Sequence, residues 1–179
     1  MSLQAQVNMD TLKARIRHVP DFPKAGILFY DITTLLREPA GFKLAIDSLA
    51  MPYADRKIDL VVGIESRGFI LGAAVADRLG AGFTPIRKPG KLPAKTVKES
   101  FQLEYGSDSL EMHEDAIHAG QRVLIVDDVL ATGGTAAAAS SLVHRCGGEL
   151  LGLAFLIELL ALNGRSKLEN ESVYTVLKY

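Results

Sequence analysis

Two adjacent carboxylates, Asp127 and Asp128, stand between an apolar run and a glycine-containing turn in "VLIVDDVLATGGT" (Val123–Thr135). Gly133 and Gly134 permit close backbone approach, and Thr132 and Thr135 add hydroxyls. A helix opening at this turn points free amides and the positive end of its dipole toward it. The stretch Ala131–Thr135 can therefore receive a phosphate without a lysine. Carboxylates repel phosphate, so the two features need different targets. Ionised Asp127 and Asp128 suit the 2′- and 3′-hydroxyls of a ribose, as hydrogen-bond acceptors. A 5′-phosphate one sugar-length away would then occupy the turn, and a ribose phosphate satisfies both.

The cations support a polyanion. In "GIESRGF" (Gly63–Phe69), Arg67 offers a planar donor fork suited to phosphate oxygens. In "IRKPGKLP" (Ile86–Pro93), Arg87, Lys88 and Lys91 form a second cluster. All four adjoin predicted strand ends, and ligands of open parallel sheets collect outside the carboxyl ends of strands. Other chemistries fail on spacing. No G-x-x-x-x-G-K-[ST] accompanies the acidic pair, and no G-x-G-x-x-G is present. Ser66 is one position out of register for G-x-S-x-G. His18, His113, His118 and His144 show no metal-ligand spacing.

The elements that must carry these residues alternate. Ile58–Ile64, Gly82–Arg87, Arg122–Asp128 and Glu149–Leu159 read as buried strands. Gly68–Leu79 and Gly134–Arg145 read as helices between them. Continuous apolar strands separated by helices indicate an α/β domain with a parallel sheet covered on both faces. Leu12, Ile16 and Val19 mark a helical stripe ending at Pro20, and Pro39 suits the start of a helix through Phe42, Ile46 and Leu49. Lys88–His118 breaks the rhythm as two mixed runs around Gly106 and Ser107, which predicts a projecting hairpin.

With 179 residues, one domain spanning 1–179 is expected. A net charge of −1 excludes a general nucleic-acid binder. The single Cys146 excludes an internal disulfide framework. The longest apolar stretch, Leu150–Leu162, contains Glu158 and is shorter than the roughly 20 residues of a membrane span. No secretory signal is evident, and a cytoplasmic protein without membrane association is expected.

On these residues, "VLIVDDVLATGGT" resembles the signature for 5-phosphoribosyl-1-pyrophosphate (PRPP) of the type I phosphoribosyltransferases. "DFPKAGILFYDITTLL", "GIESRGFILG", "IRKPGKLP" and "LEYG" resemble segments of the adenine-specific branch, from about Asp21 to Tyr179. The resemblance implies a central, mainly parallel twisted sheet flanked by helices, with a hood over about 20–35 and a flexible loop over about 88–118. It implies transfer of phosphoribose from PRPP to adenine, giving AMP and pyrophosphate with Mg²⁺, in a homodimer.

By the same resemblance, Ala131, Thr132, Gly133, Gly134 and Thr135 hold the 5′-phosphate, and Asp127 and Asp128 the ribose. Ser66, Arg67, Gly68, Arg87, Lys88 and Lys91 meet the donor's pyrophosphate. Family members carry a non-proline cis peptide at the place of Glu65–Ser66. Glu104 manages the proton at adenine N7, Arg67 steadies the departing anion, and Tyr105 covers it. The base lies among Leu28, Phe29, Leu130 and Leu159, its edge read by backbone near Phe29 and Tyr30. Magnesium is held mainly by substrate and water, with no direct protein ligand. A transferase for another base such as xanthine, or a non-catalytic sensor of the same ligand, remains an alternative.

Overall fold

The computed structural model describes residues 9–102 and 107–179. The chain divides into two compact units, Met1–Ser48 and Leu49–Tyr179.

In the first unit, strands β1 (Arg17–Pro20) and β2 (Leu28–Asp31) form an antiparallel pair, with His18 opposite Tyr30 and Val19 opposite Phe29. Helix α1 (Thr33–Leu36) follows, and α2 (Pro39–Ala50) begins at Pro39 as expected. The helical stripe predicted up to Pro20 stops early. Residues 9–13 are helical, and the amides of Arg15 and Ile16 then turn to the carbonyls of Leu12 and Lys13. These short-range bonds close the helix. Beyond them the ladder to β2 claims Arg17–Pro20, so tertiary pairing overrides a period set by three apolar positions.

In the second unit, five parallel strands run in the order β4 (Gly82–Ile86), β3 (Leu60–Ile64), β7 (Arg122–Leu130), β8 (Glu149–Glu158) and β9 (Val173–Lys178). Every residue of β3 is buried, as the unbroken run "LVVGI" requires of a strand covered on both faces. Side chains alternate between faces. Val62, Ile125, Leu153 and Phe155 join one core with Leu142 and Val143 of α4 (Gly134–Arg145). Helix α3 (Arg67–Leu79) packs on β3, β4 and β7 and buries Leu71 and Val75. Removing a side chain such as Leu71 or Phe155 from water contributes about 1.5–3 kcal/mol each.

The predicted excursion is an antiparallel hairpin, β5 (Thr96–Gln102) paired with β6 (Ser107–His113). Its second strand is tied to the cationic segment by an antiparallel bridge between Arg87 and Glu111. Strand β7 continues two residues past its expected end, so the acidic pair lies within the ladder: Asp127 is in register with Phe155, and Leu130 with Glu158. The edge strand β9 carries Thr175 and Lys178 among its apolar residues and had no clear periodic signal.

Candidate active site

The turn Ala131–Thr135 joins β7 to α4, and Gly133 takes a left-handed φ of +78° that a side chain would strain. No described side chain caps this helix, which leaves its first amides for a ligand. The turn is also braced from outside. A Cβ on Gly133 would fall 2.2 Å from the Gly164 carbonyl oxygen, and one on Gly164 would fall 2.2 Å from the Ala131 carbonyl oxygen. Asp127, Leu130, Ala131, Thr132, Gly133 and Thr135 share the lining of a cavity of about 60 Å³ with Val129, Ala136 and Phe155. Such a space suits a phosphate-sized group, since whole-ligand pockets run to roughly 300–1,000 Å³.

Above the turn, Asp127 Oδ1 accepts the Asp128 amide at 2.8 Å. Asp128 is buried, with Arg67 Nε 2.7 Å from its Oδ2, an ion pair lacking hydrogen-bond alignment. Gly68, at the start of α3, lies against the pair: a Cβ there would meet Asp127 Oδ1 at 2.8 Å. Burial, and then the neighbouring Asp128 charge, push the Asp127 carboxyl well above its ordinary range. Burial raises Asp128 as well, opposed chiefly by Arg67. Asp128 Oδ2 is thus a buried oxygen without a hydrogen bond, a partner that a sugar hydroxyl would supply.

The second cationic cluster is organised by Glu65, an acid that the sequence reading passed over. Its carboxylate accepts Arg87 Nε and Nη2, each at 3.2 Å, and the Lys88 amide at 2.9 Å. The Lys88 amide and then the guanidinium hold Glu65 below the usual carboxylate range. Arg87 Nη1 also donates to the Lys91 carbonyl at 3.1 Å. Lys88 Nζ is paired with Asp108 of β6. The Glu65–Ser66 peptide is cis. No motif flagged Glu65; the one available signal was an acid at a strand end beside a cation cluster.

A phosphoribosyl transferase domain matches residues 31–178. An adenine phosphoribosyltransferase from Koribacter versatilis is 60% identical over 170 residues, covering 95% of this chain and 93% of that one. The chain belongs to the type I phosphoribosyltransferase family, in its adenine phosphoribosyltransferase branch. Solved members of that branch share its fold. The Rhodothermus marinus enzyme superposes with a TM-score of 0.93 at 56% identity, over 97% of this chain and 99% of that one. The Saccharomyces cerevisiae enzyme, solved with adenine and an imino-altritol bisphosphate, gives 0.91 at 45% identity over 96% and 99%.

The remaining residues expected to serve this phosphoribosyltransferase are distributed unevenly. Leu130 is buried in the core and lines the small cavity, and its carbonyl accepts the Leu159 amide at 3.0 Å. Leu28, Phe29 and Tyr30 form β2 in the first unit, where Phe29 packs edge-on against Phe22 and Tyr30 against His18. Glu104 and Tyr105 lie outside the described residues. Gly164 was missed altogether. Its part depends on contact with a turn some 30 positions earlier, which no local pattern announces.

Proposed function

We propose that the chain transfers the phosphoribosyl group of PRPP to adenine, releasing pyrophosphate and forming AMP, with the site built around the acidic pair and the following turn. The observation that carries this reading is the arrangement of Asp127 and Asp128 beside a glycine turn that opens α4. Acids and anion-receiving amides adjoin without sharing a target. The 5′-phosphate takes the amides of Ala131–Thr135, and the ribose hydroxyls donate to Asp127 and Asp128. Those donors favour the ionised carboxylates that burial disfavours in the free enzyme.

The breaking bond joins ribose C1 to the pyrophosphate oxygen, and its electron pair leaves with pyrophosphate while an adenine ring nitrogen bonds C1. Positive charge gathers on C1 and the ring oxygen as negative charge gathers on the leaving group. Arg67, Arg87, Lys88 and Lys91, with Ser66 and Gly68, receive that anion, and Glu65 holds the Arg87 fork in a fixed orientation. Glu104 accepts the proton that adenine gives up at N7 as its other ring nitrogen bonds C1, and Tyr105 covers the pyrophosphate and excludes water. The resemblance assigns the base to Leu28, Phe29 and Tyr30 in the first unit and to Leu130 and Leu159 in the second.

Magnesium fits this donor set. Asp127 and Asp128 offer hard oxygen donors of the kind that Mg²⁺ takes. Held mainly through substrate oxygens and water, Mg²⁺ would neutralise phosphate charge near Asp127 and Asp128. We also read the enzyme as a cytoplasmic homodimer. Among the described residues no helix is long and apolar enough to cross a membrane, and Met51, Ile70 and Phe83 expose apolar surface that a second copy could cover.

The test is an assay of the purified protein with PRPP and Mg²⁺ against adenine, hypoxanthine, guanine, xanthine and orotate. AMP from adenine alone is expected. A preference for another base would overturn the substrate, and no product from any base would overturn the enzyme. Glu104→Gln should lower kcat far more than adenine affinity; an unchanged kcat would remove Glu104 from the chemistry.

A further inference from the structure

The turn that receives the 5′-phosphate does not set its own position. Its Gly133 and Ala131 backbones lie directly against Gly164, so closely that a single Cβ on either glycine would meet a carbonyl oxygen at 2.2 Å. Gly164 opens the short helical segment Gly164–Lys167, preceded by Asn163 at a left-handed φ of 49°. The next residue, Arg165, ties that segment down. Its Nε donates to Glu158 Oε1 at 2.6 Å and its Nη2 to Glu158 Oε2 at 2.9 Å. Nη1 donates to the Val173 carbonyl at 3.0 Å, and Nη2 also reaches Thr175 Oγ1 at 3.2 Å. Thr175 Oγ1 donates in turn to Glu158 Oε2 at 2.7 Å.

Glu158 is 4% exposed, at the end of β8 and in register with Leu130, the last residue of β7 before the turn. A buried acid at the end of an apolar strand is costly unless it is paired and hydrogen-bonded, and here both carboxylate oxygens are engaged. All three nitrogens of the guanidinium are engaged as well. Arg165 therefore spends its fork on protein partners across β8 and β9.

We propose that Glu158, Arg165 and Thr175 are positioning residues for the donor's phosphate end: they hold Gly164 against Ala131 and Gly133 and so fix the amides of the 5′-phosphate turn. This rests on the reading of that turn as the 5′-phosphate site. The fork geometry matters more than the charge, because a lysine at position 165 would carry the charge but could not bridge both oxygens of Glu158.

The experiment compares Gly164→Ala, Arg165→Lys and Thr175→Val with the unmodified enzyme. Binding of ribose 5-phosphate and, separately, of magnesium pyrophosphate is measured by calorimetry, alongside steady-state kinetics and Tm. Gly164→Ala and Arg165→Lys should weaken ribose 5-phosphate and raise KM for PRPP on the order of 10²-fold, the effect of a misplacement near 1 Å. Pyrophosphate affinity and KM for adenine should hold. Thr175→Val should shift the same two quantities several-fold, and it carries the test if the stronger variants do not fold. Unmodified ribose 5-phosphate binding in Arg165→Lys, or an equal loss of both ligands, would overturn the proposal. If the unmodified enzyme binds pyrophosphate but not ribose 5-phosphate, the reading of the turn fails first, and the proposal falls with it.

Discussion

Gly68→Ala separates the needs of the helix from those of the site. Gly68 is buried in the first turn of α3, at a φ an ordinary residue can adopt. Alanine is the better helix former by up to about 1 kcal/mol, so on local grounds the change should be neutral or stabilising. The obstacle is tertiary. The added Cβ would lie 2.8 Å from Asp127 Oδ1 and 3.0 Å from the Val126 carbonyl oxygen, where ordinary contact begins at 3.4 Å. The carboxylate must therefore retreat by about 0.6 Å, or the helix must lift from the strand. Asp127 Oδ1 also accepts the Asp128 amide, so the displacement reaches both acids. Misplacement by 1 Å costs about 10²-fold; a shift of 0.6 Å should raise KM for PRPP about tenfold, or roughly 1.4 kcal/mol. Initial rates at saturating adenine, with Tm measured on the same preparation, provide the assay. A normal KM for PRPP in a normally stable variant would refute the argument that the acidic pair needs its place beneath Gly68.

The ionisation of the site makes further predictions. Asp127→Asn should raise the Tm of the ligand-free protein at pH 8 while weakening PRPP. The folded pKa lies above the ordinary 3.8, so the native penalty grows as pH rises and the Tm gap should close toward pH 4; a pH-independent gap would contradict this. Glu65→Gln removes the charge that orients Arg87 and should raise KM for pyrophosphate in the reverse reaction about tenfold, with KM for AMP little changed. Asp31, held at about 2 first by hydrogen bonds from Thr33 and then by Arg17, stabilises the fold above its ordinary 3.8 and ceases to as pH falls through 2. Asp31→Asn should cost about 1–2 kcal/mol at pH 7 and only a small fraction of that near pH 2, read from unfolding curves.

Much of the fold was legible because its strands are continuous apolar runs whose burial on both faces leaves little room for another reading. The helix Gly134–Arg145, the strand through Leu60–Ile64 and the pairing of Thr96–Gln102 with Ser107–His113 followed from such runs and their breaks. Arg17–Pro20 and Val173–Lys178 did not, since each is a strand only through the neighbour it pairs with. The same division holds in the site. Asp127, Asp128 and Ala131–Thr135 stood out as candidates because an acidic pair beside a turn that opens a helix is a local contradiction that a ribose phosphate would resolve.

Sequence by itself thus determined the candidate groups, their spacing along one segment, and the family they resemble. Only the tertiary structure decided how those groups are held. Glu65 fixes Arg87 across 22 positions, Gly68 admits Asp127 beneath α3, and Gly164 braces Gly133 through Arg165 and Glu158. Such supports act through side chains and backbones that meet only after the sheet has formed, and they need no periodicity, motif or shared segment. Binding chemistry is local in the chain, whereas its rigidity is a property of the packed whole.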